Sequence, residues 1–370
     1  MKQFVYMDAA ASWLKPQSVI ESEADFLANS YANAGRGICA RAGHVDTLVD
    51  ESRKTVADFI NSDKENIVWT SGTTDAINRI VNILKNTYSD KILTVAVSDL
   101  EHHSARLPFE MWANNSGCNI VVMPLDKELN IDKDNLPLAD VYVITAMSNV
   151  IGVAQDVELI IQSIRKINPN AITIVDAAQF VVHNKIDIKK FDCDFLVFSG
   201  HKIGADTGVG VMYIKNPEVW NVDKFGGGMV NRIMDDGSVL LNKSPEKFEA
   251  GTLPLTQIIG LKSAIKYLSD WKSGHDLIEY MYDELSKIER IKIFTKRDAS
   301  MISFIVKDMH VIDFGAMIGA HDICIRVGNM CASWIHKKLN IDGSVRISVG
   351  PWNTMEDAKS VVDVIKEILK

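Results

Sequence analysis

Between residues 60 and 215, short apolar runs rich in β-branched residues alternate with segments whose apolar residues recur every three or four positions. The runs at Asn66–Trp69, Ile92–Val97, Ile120–Met123, Val141–Thr145, Ile172–Val175, Phe195–Phe198 and Val209–Ile214 predict seven strands. Near-continuous apolar strands separated by helical patterns are the mark of a mainly parallel sheet covered on both faces, an α/β fold. After the first strand, Ile77, Ile80, Val81 and Leu84 follow i, i+3, i+4, i+7 spacing and predict a helix that opens at Thr73–Thr74. Beyond residue 255 the pattern changes to a long helical stretch, Leu261–Ile288, then a strand over Met301–Val306 and a final helix over Met355–Leu369, which reads as a second domain. Thr354 stands at the N-cap of that last helix with Asp357 three residues on, and Ala358, Val361, Ile365 and Leu369 form its inner stripe.

Composition narrows the classes. A chain of 370 residues can bury a large core, and 47% hydrophobic with 24% charged residues suits a soluble globular protein better than a disordered or membrane one. The longest apolar runs fall short of a bilayer span, and the opening MKQFVYMDAAASWLKP, with Asp8 inside it, lacks the apolar core of a signal peptide. A cytoplasmic protein is therefore expected, with no membrane partner. A formal net charge of −8 without a long basic run argues against nucleic acid, while leaving room for a local basic pocket that holds a phosphate. Five cysteines, Cys39, Cys118, Cys193, Cys324 and Cys331, form no CxxC pair and no zinc-type spacing, so no metal site is expected. In a reducing compartment they are free thiols, core residues for the most part or with one that is reactive.

Two residues carry the first chemical signal. The segment FLVFSGHK is an apolar strand that breaks into a small-residue turn with Lys202 at its exit, and Asp176 ends the apolar run ITIV. Open α/β sheets place ligands at the carboxyl ends of their strands. An amine that forms Schiff bases and an acid that pairs with a pyridinium nitrogen are the two parts a pyridoxal site needs. Each alone reads more readily as something plain, Asp176 as a helix cap and Lys202 as a solvated surface residue. Ser71-Gly72-Thr73-Thr74 adds backbone N–H groups and hydroxyls between a strand and a helix, where a phosphate would sit. Glu101-His102-His103 follows a strand at the same edge and offers a flat imidazole for stacking, and Asn149 and Gln179 offer side-chain amides.

These residues lie in a longer series, YMDAAASWLKP, TSGTTDAIN, DLEHHSA, SNVIGV, VDAAQ, FSGHK, GGGM, FEAGT, RVGNMCA and VRISVGPWNT, through which nearly the whole chain resembles the class V aminotransferase superfamily of fold-type I pyridoxal-phosphate enzymes. Within it the chain is most similar to cysteine desulfurases and selenocysteine lyases. The resemblance implies a large domain over 16–255 with a mainly parallel seven-stranded sheet, and a smaller C-terminal α+β domain of 256–370 joined by 1–15. It implies pyridoxal 5′-phosphate bound as a Schiff base to Lys202, which also shuttles the Cα proton, with Asp176 on the pyridine nitrogen, Gln179 on the ring oxygen, His102 stacked on the ring and Asn149 near ring and substrate. Thr73, Thr74, Ser199 and His201 would hold the phosphate, with Thr252 of FEAGT reaching in from the other subunit of a homodimer. Arg346 would clamp the substrate carboxylate, Cys331 would take sulfur from L-cysteine as a persulfide, and Arg326 would help position the substrate side of that loop. A sulfur-acceptor protein is a possible partner.

Some positions depart from the desulfurases of iron–sulfur assembly. Asn329-Met330 precede Cys331 where histidine is usual, Ser333-Trp334 replace a frequent proline, and Gly35 and Cys39 stand where histidines are common. These changes touch the substrate mouth rather than the cofactor cradle. The expected activity is conversion of L-cysteine to alanine with sulfur passed to Cys331. The rivals are a class V aminotransferase or β-lyase acting on another amino acid with Cys331 incidental, and a non-catalytic binding protein of the same fold.

Overall fold

A computed structural model describes residues 4–35, 37–271 and 273–370. Seven strands form the principal sheet in the order Ile67–Thr70, Gly210–Ile214, Phe195–Ser199, Ile172–Asp176, Val141–Thr145, Leu93–Val97 and Cys118–Val122. Only Gly210–Ile214 runs antiparallel to its neighbours, and the rest of the ladder is parallel. The seven apolar runs of the sequence are these seven strands.

Their apolar continuity has a direct cause, since both faces are covered. The four central strands are buried at every residue. Successive side chains point to opposite faces, so Tyr142, Ile144, Leu196 and Phe198 enter one core while Val141, Val143, Phe195 and Val197 enter the other. The predicted helix is Thr73–Thr87, and it begins three residues after the strand Ile67–Thr70.

A second, four-stranded antiparallel sheet has the order Ile291–Ile293, Met301–Val306, Ser344–Ser348, Arg326–Gly328. Helices His275–Leu285, Val311–Gly319 and Met355–Ile368 share its core. The last of these carries the expected capping box between Thr354 and Asp357. The chain start belongs here too. Val5–Tyr6 pairs in parallel with Ile323–Cys324, and Asp8 bridges to Ser348.

The expected helical stretch Leu261–Ile288 is two helices, Leu255–Asp270 and His275–Leu285. Trp271 turns out of the helix with an extended backbone and packs edge-on against Trp13, with ring centroids 5.0 Å apart. Ser273 then takes φ +108 before Gly274, a conformation no helix continues through. The helix Leu255–Asp270 lies beyond the expected boundary at 255, yet its Ile258, Leu261, Ala264, Ile265 and Leu268 join the core of the principal sheet. Among the described residues no helix is long and apolar enough to cross a membrane.

Two buried ion pairs anchor the segment that carries Thr252. Arg53 grips Glu249 with both nitrogens, at 2.7 and 2.9 Å, and Glu249 also accepts the N–H of Trp69. Arg79 grips Asp223 and donates to the carbonyl of Phe248. Removing one partner leaves a buried charge unanswered, which costs about 3–5 kcal/mol. Glu249→Ala is accordingly expected to destabilise the chain by about that amount, seen as a lowered urea midpoint, whereas the exposed pair of Lys54 and Asp58 is expected to contribute under about 1 kcal/mol.

Candidate active site

The carboxyl ends of the central parallel strands and the start of helix Thr73–Thr87 surround a cavity of about 200 Å³. Its walls include Thr73, Thr74, His102, Asn149, Asp176, Gln179, Ser199, His201 and Lys202. Nine expected residues thus converge from segments scattered over 130 positions of the chain.

The floor is built by the strand ends. Asp176 ends its strand, is fully buried, and accepts the N–H of Ala178 at 2.9 Å. Burial pushes its carboxyl up to about 6, against the pull of Lys202. Lys202 lies in the turn after Phe195–Ser199, and its Nζ donates to the carbonyl of Ala10 at 2.6 Å. Burial and the charge of Arg346 bring this amine down to about 7, although Asp176 and Asp8 pull it up. A lysine so placed has a substantial free-amine fraction at neutral pH, the form that attacks a carbonyl.

One end of the cavity suits a phosphate. Ser199 Oγ accepts the N–H of Thr73 at 2.8 Å and lies 2.9 Å from Thr73 Oγ1, locking the helix start to the sheet. Gly72 has φ +147, and a Cβ there would meet Ser199 Oγ at 3.2 Å. The turn therefore needs glycine to bring its N–H groups against the strand end. His201 and His102 are both lowered to about 4, by burial first and then by Lys202, so both rings are neutral. His102 Nδ1 accepts the N–H of Ser104, which caps helix His103–Asn114 and fixes the ring's position at the wall.

Behind Asn149, outside the cavity lining, lies a buried cation. Arg346 is fully buried, with Nη1 on the carbonyl of Asn149 at 2.7 Å and Nη2 on Asp8 at 3.1 Å. Asp8 also takes Arg326 at 2.7 Å, so one carboxylate joins the two expected arginines. Asn149 Nδ2 donates to the carbonyl of Met330 at 2.8 Å and ties the Cys331 turn to the cavity. Cys331 is exposed. Thr252 stands apart, exposed and lining a separate cavity of about 590 Å³ with Arg53 and Glu249.

Asp8, Ala10 and Glu101 are contributors the sequence did not single out. The Ala10 carbonyl also accepts Gln179 Nε2, at 2.7 Å. Glu101 sits under the floor, where burial raises its carboxyl to about 7 despite hydrogen bonds from Ser98 and from Thr145, the residue paired with Asp176 in the sheet. The acid in YMDAAAS was visible, but its target lies 338 residues away.

The donor set fits a phosphorylated pyridine aldehyde. Asn149 Oδ1, Gln179 Oε1 and Arg346 Nε are buried without a hydrogen-bond partner; the first two residues line the cavity and the third is bonded to Asn149. Buried polar atoms are seldom left so unless a ligand completes them.

The comparisons with known proteins point the same way. A family model described as aminotransferase class-V matches residues 5–361. The chain is 31% identical to a cysteine desulfurase of Pectobacterium carotovorum over 98% of its own length and 92% of that protein's. It is 34% identical to a probable cysteine desulfurase of Borreliella burgdorferi over 100% and 92%. Among solved structures, a cysteine desulfurase from Thermococcus onnurineus superposes with a TM-score of 0.93 at 30% identity, covering 99% of this chain and 94% of that one. The desulfurase CsdA of Escherichia coli gives 0.90 at 30% identity with the same coverage.

In the cofactor-free protein, labelling of Lys202 by an amine-reactive sulfonate is expected to rise with pH through a midpoint near 7. Loss of a neighbouring cation favours the ammonium and loss of a neighbouring anion disfavours it. Arg346→Gln should therefore move the midpoint up and Asp176→Asn should move it down, read by peptide mass spectrometry across pH.

Proposed function

We propose that this chain, which belongs to the aminotransferase class-V family, is a pyridoxal-phosphate-dependent cysteine desulfurase that converts L-cysteine to L-alanine and takes the sulfur onto Cys331. The observation that carries the reading is the cavity that Lys202 and Asp176 line together with Asn149, whose carbonyl accepts buried Arg346 and whose side-chain amide holds the Met330 carbonyl next to the exposed Cys331. Relatives named cysteine desulfurase, matched over almost their full length, support the choice of substrate.

When bound, pyridoxal 5′-phosphate supplies an electron sink for the negative charge that develops at Cα. Lys202 would hold it covalently, Asp176 would face its ring nitrogen, His102 its ring face and Gln179 its ring oxygen. Thr73, Thr74, Ser199 and His201 would hold its phosphate. Asp176 facing a pyridinium would be held in its charged form, offsetting the burial that raises its carboxyl.

The chain's own residues divide the remaining work. Arg346 and Asn149 receive the substrate carboxylate, with Arg346 offering its unpartnered Nε, and Arg326 is linked to them through Asp8. The Lys202 amine accepts the Cα proton and returns one to the same region when the product leaves. The Cys331 thiolate attacks the sulfur of the substrate: an S–S bond forms, the C–S bond breaks, and its electron pair remains with the carbon skeleton that leaves as alanine. A thiol acceptor, small or carried on a protein, then removes the sulfur.

The assembly proposed is a homodimer in which Thr252 serves the cavity of the other copy. Its support is the position of Thr252 outside its own chain's cavity, together with the exposed apolar side chains Phe225, Ile233, Val239 and Leu240 in the preceding segment. We divide the chain at about residue 255 into the larger 16–255 unit and the unit of 256–370 with 1–15, the helix Leu255–Asp270 packing with the former. A reducing, cytoplasmic setting suits five free cysteines, three of them exposed.

Purified protein supplied with L-cysteine and a reductant is expected to release sulfide and alanine in equal amounts. Cys331→Ala should retain the cofactor colour and lose sulfide production by at least about a hundredfold, as removal of an essential nucleophile does, while Lys202→Ala should lose the colour itself. An inert wild type whose bound cofactor reacts with other amino acids would replace desulfuration by transamination or elimination.

A further inference from the structure

The turn that bears Cys331 is bound to the protein through the carbonyls of Met330, Cys331 and Ala332 and the N–H of Ser333. Met330 and Cys331 both adopt left-handed backbone angles, φ +49 and +51. Asn149 holds the Met330 carbonyl at 2.8 Å, and the backbone N–H of His103 holds the Cys331 carbonyl at 2.6 Å. His336 Nδ1 lies 2.9 Å from the Ala332 carbonyl, and His103 Nε2 accepts the N–H of Ser333 at 3.1 Å while lying 3.1 Å from its hydroxyl. His103 thus touches the turn twice, on either side of Ala332.

Its ring is also wedged. His103 meets Trp334 edge to face, with centroids 5.3 Å apart at 87°. The Arg106 guanidinium covers the Trp334 ring at 4.3 Å and is itself held by Asp99, Glu110 and the carbonyl of Ser98. Helix His103–Asn114 therefore presents one imidazole and one guanidinium to residues 331–334. The residue before it, His102, is a wall of the Lys202 cavity. Cavity wall and thiol turn are consequently fixed to each other through adjacent residues of one helix start.

We propose that His103 is a positioning residue for the Cys331 thiol, its Nε2 accepting the Ser333 N–H so that the turn stays at a fixed distance from the cavity. The proposal rests on the reading of Cys331 as the sulfur acceptor. His103 touches neither substrate nor cofactor; it acts through the turn. His103→Phe keeps the ring and its edge contact with Trp334 but removes the acceptor, and His103→Gln retains an acceptor of similar reach.

The test uses the cofactor-loaded protein and two readouts. Amide hydrogen exchange of residues 329–334 should quicken about fivefold in His103→Phe, the factor one neutral hydrogen bond is worth, and return toward wild type in His103→Gln. Single-turnover persulfide formation on Cys331 should slow by at least the same factor in His103→Phe, with cofactor absorbance and L-cysteine affinity unchanged. Unchanged exchange and unchanged transfer in His103→Phe would overturn the proposal. So would a parallel loss of cofactor absorbance, which marks a merely structural role. A wild type that forms no persulfide while its exchange still responds to His103→Phe would leave the tether standing and remove the reading of Cys331.

Discussion

Burying an amine, a guanidinium and a carboxylate close together is costly, because each must leave water. The arrangement around Lys202, Asp176 and Arg346 answers that cost with the chain's first few described residues. Asp8 meets both Arg346 and Arg326, and the Ala10 carbonyl receives both Lys202 and Gln179. That segment is held in turn by Val5–Tyr6 on Ile323–Cys324 and by the Asp8–Ser348 bridge. The second sheet thereby supplies the counter-charge for a site built on the first. This explains why Lys202 titrates near 7 rather than far lower: two carboxylates partly offset burial and Arg346.

The thiol is governed by a different balance. A non-glycine residue in the left-handed region costs about 1–3 kcal/mol and persists where its surroundings over-determine it. Two such residues stand side by side at Met330 and Cys331, and the hydrogen bonds from Asn149 and His103 are what hold them. One of those donors lines the cavity and the other follows a residue that does. A side chain proposed to receive substrate is thus joined to the turn that carries the thiol.

Much of this was legible in the chain. The seven strands could be read because a sheet covered on both faces demands uninterrupted apolar runs, and Lys202 and Asp176 stood out because each ends such a run. Thr73 was marked by the strand-to-helix transition. The helix Ala40–Ile60 carries a stripe, Val45, Val49, Val56 and Ile60, that is legible at helical spacing. The break at Trp271 was hidden because its cause is tertiary, the contact with Trp13. Asp8 and Ala10 were opaque for the same reason: an acid in an N-terminal loop reveals nothing of arginines more than 300 residues on. In the sequence Ser333 and Trp334 read only as departures, whereas in the fold they are the partners of His103 and Arg106.

The central claim is that sulfur passes from substrate to one particular thiol. Intact-protein and peptide mass spectrometry after brief exposure of the cofactor-loaded protein to L-cysteine, without reductant, addresses it directly. The account predicts one added sulfur atom per chain, located on the peptide containing Cys331 and absent from those containing Cys39 and Cys324, the other exposed cysteines. Sulfur found on either of those residues, or alanine released with no sulfur retained on Cys331, would contradict it.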